Sequence, residues 1–196
     1  MKKIITVVMI TMISLTTLQT KAQAFNKSSI LLSLGIGPGE MIHFPTANNV
    51  YYLNGAGYTI VTGQLSFQGE FAVHKYVGVG FVVGIGGRAG YFHEVNVPIG
   101  VLANFHFYQL IADKQGGNLH ADKLDVYAGL TAGSGAAIHP YTDGFGNKFT
   151  YTDALFYFGP HVGVNYYFSP NVGVNGEVGW GTTVIQAGIV FKLGGK

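Results

Sequence analysis

One parity of this chain carries no charge. The sequence falls into eight segments in which apolar and polar residues alternate, near 28–37, 59–74, 77–90, 96–108, 124–137, 154–168, 172–180 and 184–193. Period-two alternation marks strands with two unlike faces. In the first segment the apolar parity reads Ile30, Leu32, Leu34 and Ile36. In the third it reads Val77, Val79, Phe81, Val83 and Ile85, and in the fourth Val97, Ile99, Val101, Ala103, Phe105 and Phe107. Gly69, Pro160 and Gly176 interrupt this parity elsewhere, and none is charged. The other parity holds Gln64, Ser66, Glu70, Arg88, Asn104, His106, Asp125, Tyr127, His161, Asn165, Asn175, Glu177, Gln186 and Lys192. Every charged residue of the strands is there.

Two architectures accept such strands. A soluble sandwich or barrel turns the apolar face inward, and a membrane barrel turns it outward to lipid and keeps the polar face in the lumen. Composition favours the second. Charged residues make up 10% of the chain, against roughly 25% in ordinary soluble domains. Aromatic residues gather at the two sets of strand ends. Tyr91, Phe92, Tyr141, Tyr151, Phe156 and Trp180 mark one end. Tyr76, Phe107, Tyr108, Tyr166, Tyr167 and Phe168 mark the other. Two such girdles suit two membrane interfaces. The expected fold is all-β: an eight-stranded antiparallel up-and-down transmembrane β-barrel. An eight-stranded barrel has room inside for its own side chains or one small ligand.

Residues 1–24 have the form of a cleaved export signal. Lys2 and Lys3 precede the apolar run Ile4 to Leu18, and Ala22-Gln23-Ala24 supplies small residues around a cleavage point before Phe25. The barrel domain is then 25–196. Lys2, Lys3 and Lys21 leave with the signal, so 8 of the 11 basic residues remain against 9 acidic ones. With Arg88 the sole arginine, nucleic acid is not an expected partner. There is no cysteine for a disulfide, a thiolate metal site or a lipid anchor. Long connections near 38–58, 91–95 and 138–153 should face outward, and the short turns His74-Lys75-Tyr76 and Ser169-Pro170-Asn171 should face the periplasm. Gln109 to Lys123 departs from this, as a long charged periplasmic linker. Pro160 inside a paired strand implies a bulge.

The C-terminal third carries a family likeness. Tyr167-Phe168-Ser169-Pro170-Asn171-Val172-Gly173-Val174 leads to Gly176-Glu177-Val178-Gly179-Trp180-Gly181, and the chain closes with Gly188-Ile189-Val190-Phe191-Lys192-Leu193. In these features the chain resembles the small outer-membrane β-barrel proteins of the Bacteroidota, also called the porin family. The resemblance implies an integral outer-membrane protein and no particular substrate.

Candidate chemistry is sparse. Inward Glu70, Asp125 and Glu177 face inward Arg88 and Lys192, and buried charges of both signs should form an ion-pair network that plugs the lumen. Inward glycines leave volume that Tyr127, Tyr157 and Tyr167 can fill. His43, His93 and His139 lie near Glu40, Glu94 and Asp143 in the outer loops but match no metal-ligand spacing. His106 and His161 point inward as hydrogen-bonded lumen residues. Ser134 and His139, with Asp143 nearby, are the one pair that could serve a lipid-modifying enzyme, yet no exposed nucleophile turn surrounds Ser134. No catalytic, cofactor or metal site is expected. The leading expectation is a monomeric scaffold in outer-membrane lipid, with a filled lumen, that meets an extracellular ligand through 38–58 and 138–153. A narrow pore or conduit for small or hydrophobic solutes is the alternative.

Overall fold

A computed structural model describes residues 24–38, 59–90, 94–116 and 119–194. The strands are β1 (Ser29–Gly37), β2 (Thr59–His74), β3 (Val77–Gly90), β4 (Glu94–Phe105), β5 (Leu124–Thr142), β6 (Lys148–Tyr167), β7 (Val172–Gly179) and β8 (Ile185–Gly194). One helix, α1 (Phe107–Lys114), joins β4 to β5. Each strand pairs antiparallel with its neighbour in sequence, and β8 pairs back onto β1 from Ser29↔Gly194 to Ile36↔Ala187. The sheet closes on itself. Every strand thus has a neighbour on both sides, as a sheet in hydrocarbon requires, and β6 runs on beyond its last β7 pair at His161↔Gly179.

The charge-free parity is the outer surface. Ile99 and Val101 are 58% and 63% exposed, and Phe156 and Phe158 are 58% and 57% exposed. In water such a continuous apolar surface would drive association. As the face of a closed barrel it is the lipid-facing band of a transmembrane β-barrel. No helix among the described residues is long and apolar enough to cross a membrane; the strands make the crossing.

Three sequence expectations are corrected. The fourth alternating segment stops at Phe105, and Phe107 and Tyr108 belong to α1, so neither is a girdle residue on a strand. The ladder ends where the His106 N–H donates to the Tyr76 carbonyl at 2.8 Å. The chain then turns, and Gln109 and Ala112, three apart on one helical face, are buried. The linker 109–123 is thus partly helical. The outer connection 138–153 is mostly strand: pairing of β5 with β6 runs on to Thr142↔Lys148. The small residues of Gly133-Ser134-Gly135-Ala136-Ala137 hide the alternation that continues through them. Pro160 sits in an unbroken register opposite Leu130, with no bulge. Its carbonyl accepts the Trp180 N–H at 2.8 Å, beyond the last β6–β7 pair His161↔Gly179. A strand residue points its N–H and C=O the same way, so the donor that Pro160 lacks faces a place where the ladder has already ended.

The β5–β6 hairpin projects as an ordered arm. At its tip Asp143 Oδ1 accepts the backbone N–H groups of Phe145 and Asn147 at 2.9 and 2.8 Å, and Oδ2 accepts the Asn147 side-chain amide at 2.9 Å. The Asn147 amide, with the backbone donors behind it, holds the Asp143 carboxyl below its ordinary range. Gly146 closes the turn at φ +87, a conformation that needs glycine.

Candidate functional site

Any chemistry inside this protein lies in the lumen, and the lumen has two halves. The half near the short turns, with Phe25 and Gly194, is the turn end. The half toward the β5–β6 hairpin is the loop end.

At the turn end His106 lies between two carboxylates and is fully buried. Its Nδ1 is 2.9 and 3.0 Å from the two oxygens of Asp125, and its Nε2 is 2.7 Å from Glu70 Oε1. With both carboxylates ionised, both ring nitrogens must carry hydrogen, so the ring is the cation of the group. Phe25, also fully buried, stacks on this ring at 3.4 Å with planes 9° apart.

Bonds run outward from this centre on both sides. Asn104 donates to the second Glu70 oxygen at 2.8 Å, which leaves its own oxygen to accept from His161 Nε2 at 2.7 Å. His161 Nδ1 is then free to accept the Thr131 hydroxyl at 3.0 Å. On the other side Asn165 donates to Asp125 at 2.9 Å, and Asn175 donates to Asn165 at 2.8 Å and to the Tyr127 hydroxyl at 3.0 Å. Tyr127 donates to Glu177 at 2.9 Å. Gln186 donates to Glu177 at 3.2 Å and accepts from Ser66 at 2.7 Å. The chain from Thr131 to Ser66 crosses the whole lumen without a break.

Glycines make this packing possible. A β-carbon at Gly78 would overlap the Glu70 carboxylate, and one at Gly163 would overlap the Tyr127 ring. The inward glycines therefore do not leave a channel here. The cavity among Leu31, Gln68, Tyr127, Asn175 and Val190 is about 10 Å³, room for one water at most. Beneath it the lumen is closed by Phe25, Leu31, Tyr167 and Val190, with Ala24, the last residue of the expected leader, packed beside them. Ala24 donates to Ala121 at 2.7 Å, and the Gln109 amide of α1 donates to the same carbonyl at 3.2 Å. Outside, Asp113 of α1 accepts from Tyr76 and Lys75 at 2.8 and 3.4 Å and ties the helix to the β2–β3 turn.

At the loop end the bonding fails. Gln64, Asn96 and Tyr157 are 3%, 0% and 4% exposed, and among the described residues none of their side-chain polar atoms has a hydrogen-bond partner. The Gln64 amide lies against Gly84 and Gly86, and the Tyr157 hydroxyl lies against Gly100 and Gly133. Above them His139 stacks on Tyr151 at 4.7 Å, with Asp153 at 3.5 Å and Glu94 at 4.0 Å from its ring nitrogens.

The structure brings together several of the charges expected to form one network. Glu70 and Asp125 meet through His106, and Glu177 joins through Tyr127. Lys192 is buried with its Nζ 5.3 Å from the Tyr167 ring centre. The Arg88 backbone pairs with Glu94 near the loop-end rim. The histidine that centres the network was legible only as a polar inward residue. Ser134 and His139, the pair weighed for an enzyme, are apart. Ser134 lies on the outward parity, opposite Ile99 and Phe156, whereas His139 points inward, so the two are on opposite faces of one sheet. His43 and His93 lie outside the described residues, as do 39–58 and 91–93. Among the described residues no cluster of three or more His, Cys, Asp or Glu is arranged to hold a metal. Tyr167 and Tyr151, expected in the girdles, are instead a buried lumen residue and the partner of His139.

No family model matches the chain, and no curated protein matches it in sequence. Solved structures do align. The N-terminal β-barrel domain of Pseudomonas aeruginosa OprF aligns over 86% of this chain and 99% of its own, at 11% identity and a TM-score of 0.48. Pseudomonas aeruginosa OprG aligns over 89% and 99%, at 10% identity and a TM-score of 0.49. Neisserial surface protein A aligns over 84% and 94%, at 15% identity and a TM-score of 0.45. The fold assignment rests on the closed ladder and its outward apolar face.

Proposed function

We propose that this chain is an outer-membrane barrel of the small Bacteroidota type, exported behind a leader at 1–24. It acts singly, as a membrane-embedded scaffold with a blocked lumen. The turn end then faces the periplasm, and the β5–β6 hairpin stands outside the cell. The observation that carries the reading is the unbroken hydrogen-bonded chain across the lumen, centred on His106 between Glu70 and Asp125. An ion crossing here would have to break charge-assisted bonds in a dry interior. The hairpin supports a role in surface contact: its tip is fixed by Asp143 and holds Phe145 out at 94% exposure.

The test is single-channel recording of the purified protein in planar bilayers, with folding checked by gel mobility before and after boiling. The folded protein should give no stable conductance steps. Stable steps that change size in Glu70→Gln or Lys192→Ala would overturn this reading and favour a narrow pore.

A further inference from the structure

We propose that the loop-end half of the lumen is a binding site for a small neutral solute that carries a hydrogen-bond donor beside an acceptor. The site is built from Gln64, Asn96 and Tyr157. All are at least nine-tenths buried, and none of their side-chain polar atoms is bonded among the described residues. A buried amide or hydroxyl without a partner is destabilising, whereas one that is paired is not. A ligand that pairs with these groups removes that penalty, which gives it a reason to bind here.

Register puts the two amides side by side. Gln64 of β2 and Asn96 of β4 both pair with Gly86 of β3, which has no side chain to separate them. Each carboxamide offers a donor and an acceptor at neighbouring atoms. Their natural complement has the same layout, as in a carboxamide or a pair of adjacent hydroxyls. Space for it comes from side chains rather than backbone. The Gln64 amide fills the room over Gly84 and Gly86, and it is the free end of a flexible chain. The ligand is neutral because the polar groups of this layer are amides and a phenol. A buried charge would find no counter-charge among them.

The site goes beyond the scaffold reading and does not depend on it, since the sealed half lies below. Acetamide and glycerol are the probes, with sodium acetate as the charged control of similar shape. They are titrated onto the full mature chain in nanodiscs while the side-chain amide NMR signals of Gln64 and Asn96 are followed. At least one neutral probe should shift both signals along a saturable curve, and acetamide against glycerol shows whether an amide or adjacent hydroxyls are preferred. In Gln64→Leu the Asn96 shift should fall at least tenfold in apparent affinity. Tyr157→Phe, a milder change, should weaken binding by a smaller factor. No saturable shift with either neutral probe, equal shifts with acetate, or an unchanged curve in a folded Gln64→Leu barrel would each overturn the proposal.

Discussion

The two halves of the lumen are walled by the same eight strands and meet opposite fates. At the turn end most polar side chains find another, the Tyr167 hydroxyl excepted: Asn104 is bonded to Glu70 and His161, and Tyr127 to Asn175 and Glu177. At the loop end Gln64 and Asn96 are as well buried and unbonded among the described residues, with the Gln64 amide against Gly84 and Gly86. Burial alone therefore does not make a lumen a plug. What differs is whether each acceptor has a donor across the barrel, and that depends on which strands place long polar residues at one level.

The contrast can be broken from its strongest point. His106→Leu removes the cation between two buried carboxylates, and it should cost about 3–5 kcal/mol of barrel stability, the usual consequence of leaving a buried charge unpaired. Urea unfolding in detergent, followed by tryptophan fluorescence, measures it. Adding Glu70→Gln and Asp125→Asn to the same chain should recover much of the loss. Asn104→Leu comes next, at about 1–3 kcal/mol, because it strips donors and acceptors from Glu70 and His161 together. Asn96→Leu sharpens the comparison by its sign. It removes an amide that has nothing to lose, so stability in the same urea experiment should stay level or rise. A loss as large as that of Asn104→Leu would mean that the two halves are alike.

The smallest effect lies outside the membrane, at the hairpin tip. The Asp143 carboxyl is held low by Asn147 and by backbone N–H groups, so its folded-state value lies below that of the unfolded chain. The order it confers is complete above the ordinary carboxylate range and is lost as pH falls through the depressed value. Protection of the Phe145 and Asn147 amides from hydrogen exchange, relative to the unfolded rate at each pH, should fall at low pH and be small at every pH in Asp143→Ala, with the barrel unaffected.

Much of the fold was legible because lipid imposes a strict rule on one face. A single charge among Val97, Ile99, Val101 and Ala103 would have ended the reading, and none occurs. Limits appeared where that rule lapses. Beyond Phe105 the apolar residues Phe107 and Leu110 fit a strand or a helix equally well over so short a run. Around Ser134 small residues gave no alternation to follow, and an inward His139 passed for a loop residue. The lumen was legible as polar, since Glu70, Asp125 and Glu177 share a parity. Their wiring was not, because partners such as His106 and Asn104 are brought near Glu70 by barrel closure and by register across three strands, which one-dimensional spacing does not encode.

The central claim is that the bonded chain around His106 seals the lumen from water and ions. Nitrogen-15 NMR of the His106 ring in nanodiscs at neutral pH tests it most directly. The structure predicts hydrogen on both ring nitrogens, exchanging slowly with deuterated solvent. A neutral ring, or ring hydrogens that exchange at once, would show that the carboxylates do not hold it and that water reaches the centre of the barrel.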